Sequence, residues 1–114
     1  MQRRYLRKLI AFQLLALPAL GLPDAGVLFQ NHCATCHGAN GDGRGPAAAG
    51  LPVKPADLRA KKLQKRMTDA YIQKIVRGGC VAVKKSPLMP ASADSLTDPE
   101  VNALLKWLRS LPPK

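Results

Sequence analysis

A chain of 114 residues makes one small domain, and five aromatic side chains are too few to build a core of ordinary thickness. Eighteen basic against seven acidic residues give a formal charge of +11. Nucleic acid is the generic partner of so basic a protein, but scarce aromatics and the lack of any nucleic-acid motif exclude it in favour of an acidic protein surface or a membrane surface.

Residues 1–21 have the plan of a secretory signal. A basic stretch with Arg3, Arg4, Arg7 and Lys8 precedes the apolar run 9–22, interrupted only by Gln13 and Pro18. Small residues at Ala19-Leu20-Gly21 suit cleavage after Gly21. The run has 14 residues, short of the ~20 that span a bilayer as a helix, so no stable membrane span is expected. An uncleaved anchor is the alternative. Residues 22–114 then form the folded domain, with 14 basic and 7 acidic residues.

Asp24 is placed to cap a first helix, with Leu28, Phe29, His32, Cys33 and Cys36 at helical spacing. The helix runs into Cys33-Ala34-Thr35-Cys36-His37. Two thiols two residues apart, with a histidine after the second, match the attachment site of c-type haem. Each thiol can add across one porphyrin vinyl group, and the same turn offers the His37 imidazole to the iron. Competing readings of the pair are weaker. A structural zinc site needs four ligands, with only His32, His37 and Cys80 left to supply them. A thioredoxin-like pair belongs in a βαβ setting, which is absent here. A plain disulfide leaves His37 without a purpose. His32, next to Cys33, cannot also reach the iron axis and reads as a partly exposed helix residue.

Five glycines within residues 38–50 mark irregular chain that turns tightly and lies close to something flat. The Gly41-x-Gly43-x-Gly45 spacing is not a phosphate loop, since no strand precedes it. Residues 51–58 continue as extended, proline-stiffened chain. Five of the eight residues 59–66 are basic, which reads either as solvated surface or as a docking patch.

Thr68 caps a helix that carries Tyr71, Ile72, Ile75 and Val76 on one face and stops at Gly78-Gly79. Residues 80–95 show no helical period. Thr97-Asp98-Pro99-Glu100 is a capping box that opens a last helix with the stripe Val101, Leu104, Leu105 and Leu108, flanked by Trp107 and Leu111. No strand pattern and no internal repeat appears.

Iron bound by His37 needs its other face accounted for. The domain offers Met67 and Met89. Met67 abuts the helix cap Thr68 and reads as a packing residue. Met89, 52 residues after His37, lies in Ser86-Pro87-Leu88-Met89-Pro90, where two prolines restrict the backbone and hold a thioether for ligation. Methionine as the second ligand raises the reduction potential, as suits an electron carrier.

Together these segments resemble the class I cytochromes c, the single-haem, His/Met-ligated carriers of bacteria. The resemblance spans the domain, through Leu28-Phe29, Cys33-Ala34-Thr35-Cys36-His37-Gly38, Gly41-Asp42-Gly43-Arg44-Gly45-Pro46, Pro55-Ala56-Asp57-Leu58, Gly78-Gly79 and Ser86-Pro87-Leu88-Met89-Pro90 to Arg109-Ser110-Leu111. It implies an all-α fold of three to four helices wrapped around one covalent haem c. The first and last helices should cross, packing Ala25 and Phe29 against Leu104 and Trp107. It also implies thioethers at Cys33 and Cys36, axial ligands His37 and Met89, and one-electron exchange with redox proteins in the periplasm, by a monomer that is not an enzyme. The alternatives are an electron-transfer subunit of a larger oxidase or dehydrogenase, and a small haem enzyme with a labile sixth ligand. Two residues depart from the family pattern. Cys80 stands where a small residue is usual, and the basic run 59–66 is unusually dense. Cys80, the odd thiol, is expected to be buried as a small hydrophobe, with an intermolecular disulfide as the alternative.

Overall fold

The computed structural model describes residues 24–86, 88–92 and 95–114, so the expected leader lies outside the described residues. Within them the secondary structure is entirely helical. Five α-helices follow in order: α1 (Ala25–His32), α2 (Ala34–His37), α3 (Lys61–Arg66), α4 (Asp69–Gly78) and α5 (Asp98–Ser110). Single 3₁₀ turns occur at Ala48–Gly50 and Cys80–Val83. The count exceeds the expected three to four because α2 and α3 are short segments of four and six residues.

The caps written in the sequence are formed. The Asp24 carboxylate accepts from the Gly26 N–H at 2.7 Å, satisfying a donor the helix start leaves free. Thr68 Oγ1 accepts from the Tyr71 N–H at 3.1 Å. At α5 both halves of the capping box are present: Thr97 N–H donates to Glu100 Oε2 at 2.7 Å, and Glu100 N–H to Thr97 Oγ1 at 3.4 Å.

Helices α1 and α5 cross, and α4 packs on α5. At the crossing the Phe29 and Trp107 rings stand 4.4 Å apart, tilted by 33°. Phe29 and Leu104 are the largest fully buried side chains. The predicted crossing is therefore present. A cluster of Leu28, Ile72, Val76, Leu96 and Val101 completes the core around them. It is thin, because one flank of it opens on a cavity.

The six-residue α3 was not visible in the sequence, and long-range bonds hold it. Gln64 Nε2 donates to the Leu108 carbonyl at 3.2 Å. Arg109, on α5, donates through Nη1 to the Gln64 carbonyl at 2.7 Å and through Nη2 to Asp69 at 2.9 Å, and also reaches the Met67 carbonyl. Just before α3, Asp57 pairs with Arg59 at 2.9 Å, which holds its carboxyl down at about 2. Arg59 is thus matched by an acid, and the exposed cations of the basic run are Lys61, Lys62, Lys65 and Arg66.

Candidate functional site

The break between α1 and α2 falls on Cys33, and the short α2 carries Cys36 and His37. A helix of four residues leaves its carbonyls without intrahelical partners. Alternate N–H groups of the following loop take them up: Ala47 to Thr35 at 2.9 Å, Gly45 to Cys36 at 3.1 Å and Gly43 to His37 at 2.7 Å. The loop lies so close that a Cβ on Gly45 would overlap the backbone carbonyls of Ala34 and Thr35. The glycine density thus serves a close approach to the backbone of α2. It fixes the direction in which Cys33, Cys36 and His37 face.

They face a cavity of about 530 Å³. Its wall is mostly apolar, with Leu58, Leu63, Tyr71, Ile72, Ile75 and Leu104 among the lining residues. Cys33, Cys36, His37 and Met89 all line it, so the four residues singled out in the sequence are brought to one space. Met67 lines it too, while also packing against the core cluster. His32 reaches the lining from the exposed end of α1, consistent with a residue at the edge. Pro87, one of the two prolines flanking Leu88-Met89, lies outside the described residues.

Burial governs the chemistry of the motif. It lowers the His37 pKa, favouring the neutral imidazole that a metal requires. His37 Nδ1 is buried with no hydrogen-bond partner among the described residues, an arrangement that costs free energy in an apolar wall unless the ring has another use. Burial also pushes the Cys33 thiol up to about 11. A dithiol redox pair needs the opposite shift, toward a ready thiolate. Among the described residues, no three His, Cys, Asp or Glu side chains cluster as a metal site. An apolar cavity, two thiols one turn apart and an unpartnered neutral imidazole together fit haem c, held by its vinyl groups and its iron.

The Met89 segment is shaped by the turn that ends α4. Gly79 has φ 69° and ψ −179°, a backbone state open essentially to glycine alone. A Cβ there would stand 2.5 Å from the Met89 carbonyl oxygen and 3.0 Å from the Ala91 nitrogen. Both obstacles are backbone, so neither can swing aside. Gly79→Ala is therefore expected to cost on the order of 1–3 kcal/mol in denaturant unfolding and to loosen the Met89 segment. Unchanged stability would show that the turn is not held as described. Cys80, which follows, is half-buried rather than fully buried, and its Sγ lies 3.5 Å from Met89 Sδ.

A family model for cytochrome c matches residues 25–112. The chain belongs to the cytochrome c family. Its all-helical fold, with one Cys-x-x-Cys-His turn at a large apolar cavity, is that of a class I cytochrome c carrying covalent haem c. Among solved structures, a c-type cytochrome, KustC0563, is similar with a TM-score of 0.64 and 27% identity, over 78% of this chain and 98% of that one. A point mutant of KustC0563 gives a TM-score of 0.60 at 26% identity, over 77% and 98%. No curated protein matches the chain. As a haem protein of this family, the cytochrome serves electron transfer.

Proposed function

We propose that this cytochrome is a one-electron carrier that works outside the cytoplasm, exchanging electrons with proteins that present an acidic docking surface. In this reading residues 1–21 are an export leader and residues 22–114 the haem domain. Cys33 and Cys36 form the two thioethers, His37 is the proximal axial ligand and Met89 the distal one. The supporting observation is the cavity that these four side chains share with an apolar wall. Haem held there would supply one-electron exchange between the ferric and ferrous states.

Each residue has a separable task. Cys33 and Cys36 anchor the group at two points, so its orientation is set by the turn. His37, held neutral by burial, offers a lone pair without first losing a proton. Met89 supplies a thioether, a weaker donor than a second imidazole, which favours the reduced state. The apolar wall would keep water from the bound group, so that little would rearrange on electron exchange. With His37 and Met89 both committed to holding the iron, no position would stay open for substrate, which favours carriage over catalysis. Among the described residues no helix is long and apolar enough to cross a membrane.

Both methionines line the cavity, and substitution discriminates between them. The ferric holoprotein should show the weak long-wavelength Met–iron charge-transfer band. Met89→Ala is expected to abolish it and lower the potential, whereas Met67→Leu, which keeps the packing volume, retains it. Loss of the band in Met67→Leu with retention in Met89→Ala would reverse the assignment.

A further inference from the structure

Cys80 stands apart from the two attachment cysteines: nothing in the haem motif uses it, yet its side chain lines the same cavity. Its sulfur is 3.5 Å from the Met89 sulfur, within reach of an S–H···S hydrogen bond. The direction of that bond is fixed by chemistry. A thioether has no proton to give, so the thiol of Cys80 donates and Met89 accepts. The backbone of the same residue holds the same partner, since the Cys80 N–H donates to the Met89 carbonyl at 3.3 Å. Cys80 is itself anchored from the other side, where its carbonyl accepts from the Lys85 N–H at 2.9 Å. Gly79, in its glycine-only conformation, sets the approach.

We infer that Cys80 is a positioning residue for Met89: its backbone N–H and its thiol grip the methionine at two points, and the thiol proton occupies one sulfur lone pair while the other is free to face the metal. The inference rests on the reading of Met89 as the distal ligand. Two consequences follow from the one contact. A methionine held at its carbonyl and its sulfur yields less readily to a competing ligand. A donor on the thioether draws electron density away from it, so the ferric state gains less from the bond and the potential is higher than it would be without the thiol.

Packing alone makes the contrary forecast. If Cys80 were only a small apolar filler, valine of similar bulk would replace it well, and serine, which is more polar, would do worse. A hydrogen-bond role reverses that order, because serine keeps a donor and valine has none. The experiment uses ferric holoprotein, imidazole as the competing ligand, and a redox titration on Cys80→Val and Cys80→Ser. A thiol is a weak donor, so loss of one modest hydrogen bond corresponds to a change of about three- to tenfold in the competition. Cys80→Val should bind imidazole tighter by that factor and show a lower potential, while Cys80→Ser stays close to the parent in both. Parent-like behaviour of Cys80→Val, or a departure of Cys80→Ser as large as that of Cys80→Val, overturns the inference. The charge-transfer band of Met89→Ala separates the two levels. If it disappears and Cys80→Val is unaltered, only the role of Cys80 falls; if it persists, the ligand assignment itself has failed.

Discussion

Replacing both Cys33 and Cys36 with serine is expected to leave a chain without covalent haem that loses most of its helical circular dichroism. The reason lies in the size of the space relative to the core beside it. Among the described residues the buried apolar set is nine side chains, with Phe29 as its one aromatic. Against this stands a cavity of about 530 Å³. Without a group to cover it, the apolar lining of that space is left to water and its burial is forfeited. Whole domains are stable by only ~5–15 kcal/mol, so the wall cannot stand open on its own contacts. It must collapse or unfold, and the short elements are the least able to survive. Helix α2 has four residues and α3 six, both below the length at which a helix persists without tertiary support. The check is haem staining on a denaturing gel together with far-ultraviolet dichroism before and after removal of loosely held haem. A haem-free double variant with the parent's helix content would show that the protein contacts alone suffice, contrary to this account.

What the sequence disclosed, it disclosed through short-range rules. Asp24, Thr68 and the Thr97–Glu100 box are each defined within four residues, and all three cap as read. The Cys-x-x-Cys-His turn is likewise local, and Trp107, which the family resemblance set against Phe29, meets it at the crossing. The structure added what depends on partners distant in sequence. Helix α3 has no capping side chain of its own and is fastened through Gln64 and Arg109, 45 residues apart. No periodicity in a six-residue basic run announces such a clamp. The Cys80–Met89 contact joins residues nine apart in a stretch whose sequence has no helical period, where apolar spacing carries no information. An odd cysteine in place of the small residue usual in the family was the available signal, and it pointed to the position without naming the contact.

The distant contacts also decide where the positive charge stands, which bears on how electrons leave. Leu63 and Gln64 of α3 and the following Met67 line the cavity, so Lys61, Lys62, Lys65 and Arg66 are exposed on the helix that forms part of its wall. Lys85 lines the cavity while remaining exposed, with Lys84 beside it in a left-handed conformation at φ 59°. In the same segment Leu88, beside Met89, lines the cavity and is 45% exposed, and Val81, shortly before Lys84, is 60% exposed. Exposed apolar side chains in the segment that carries Lys84 and Lys85 suit a partner with a complementary acidic surface, brought in by charge and seated by contact. Steering of this kind raises association rates by ~10–10³ and is screened as the Debye length shortens to about 8 Å at physiological salt. The double change Lys84→Glu, Lys85→Glu is therefore expected to slow electron exchange with an acidic redox protein by roughly tenfold or more at low ionic strength. Glutamate meets the same left-handed backbone at residue 84 that lysine does, so the change acts on charge with little effect on the turn. The potential should move little, because the effect lies in encounter and orientation. Reversal of Lys61 and Lys62 should slow the rate in the same direction if α3 belongs to the docking surface. Stopped-flow rates across a salt series make the measurement. A rate indifferent both to salt and to these four substitutions would leave the cations as solvated surface and place the docking face elsewhere.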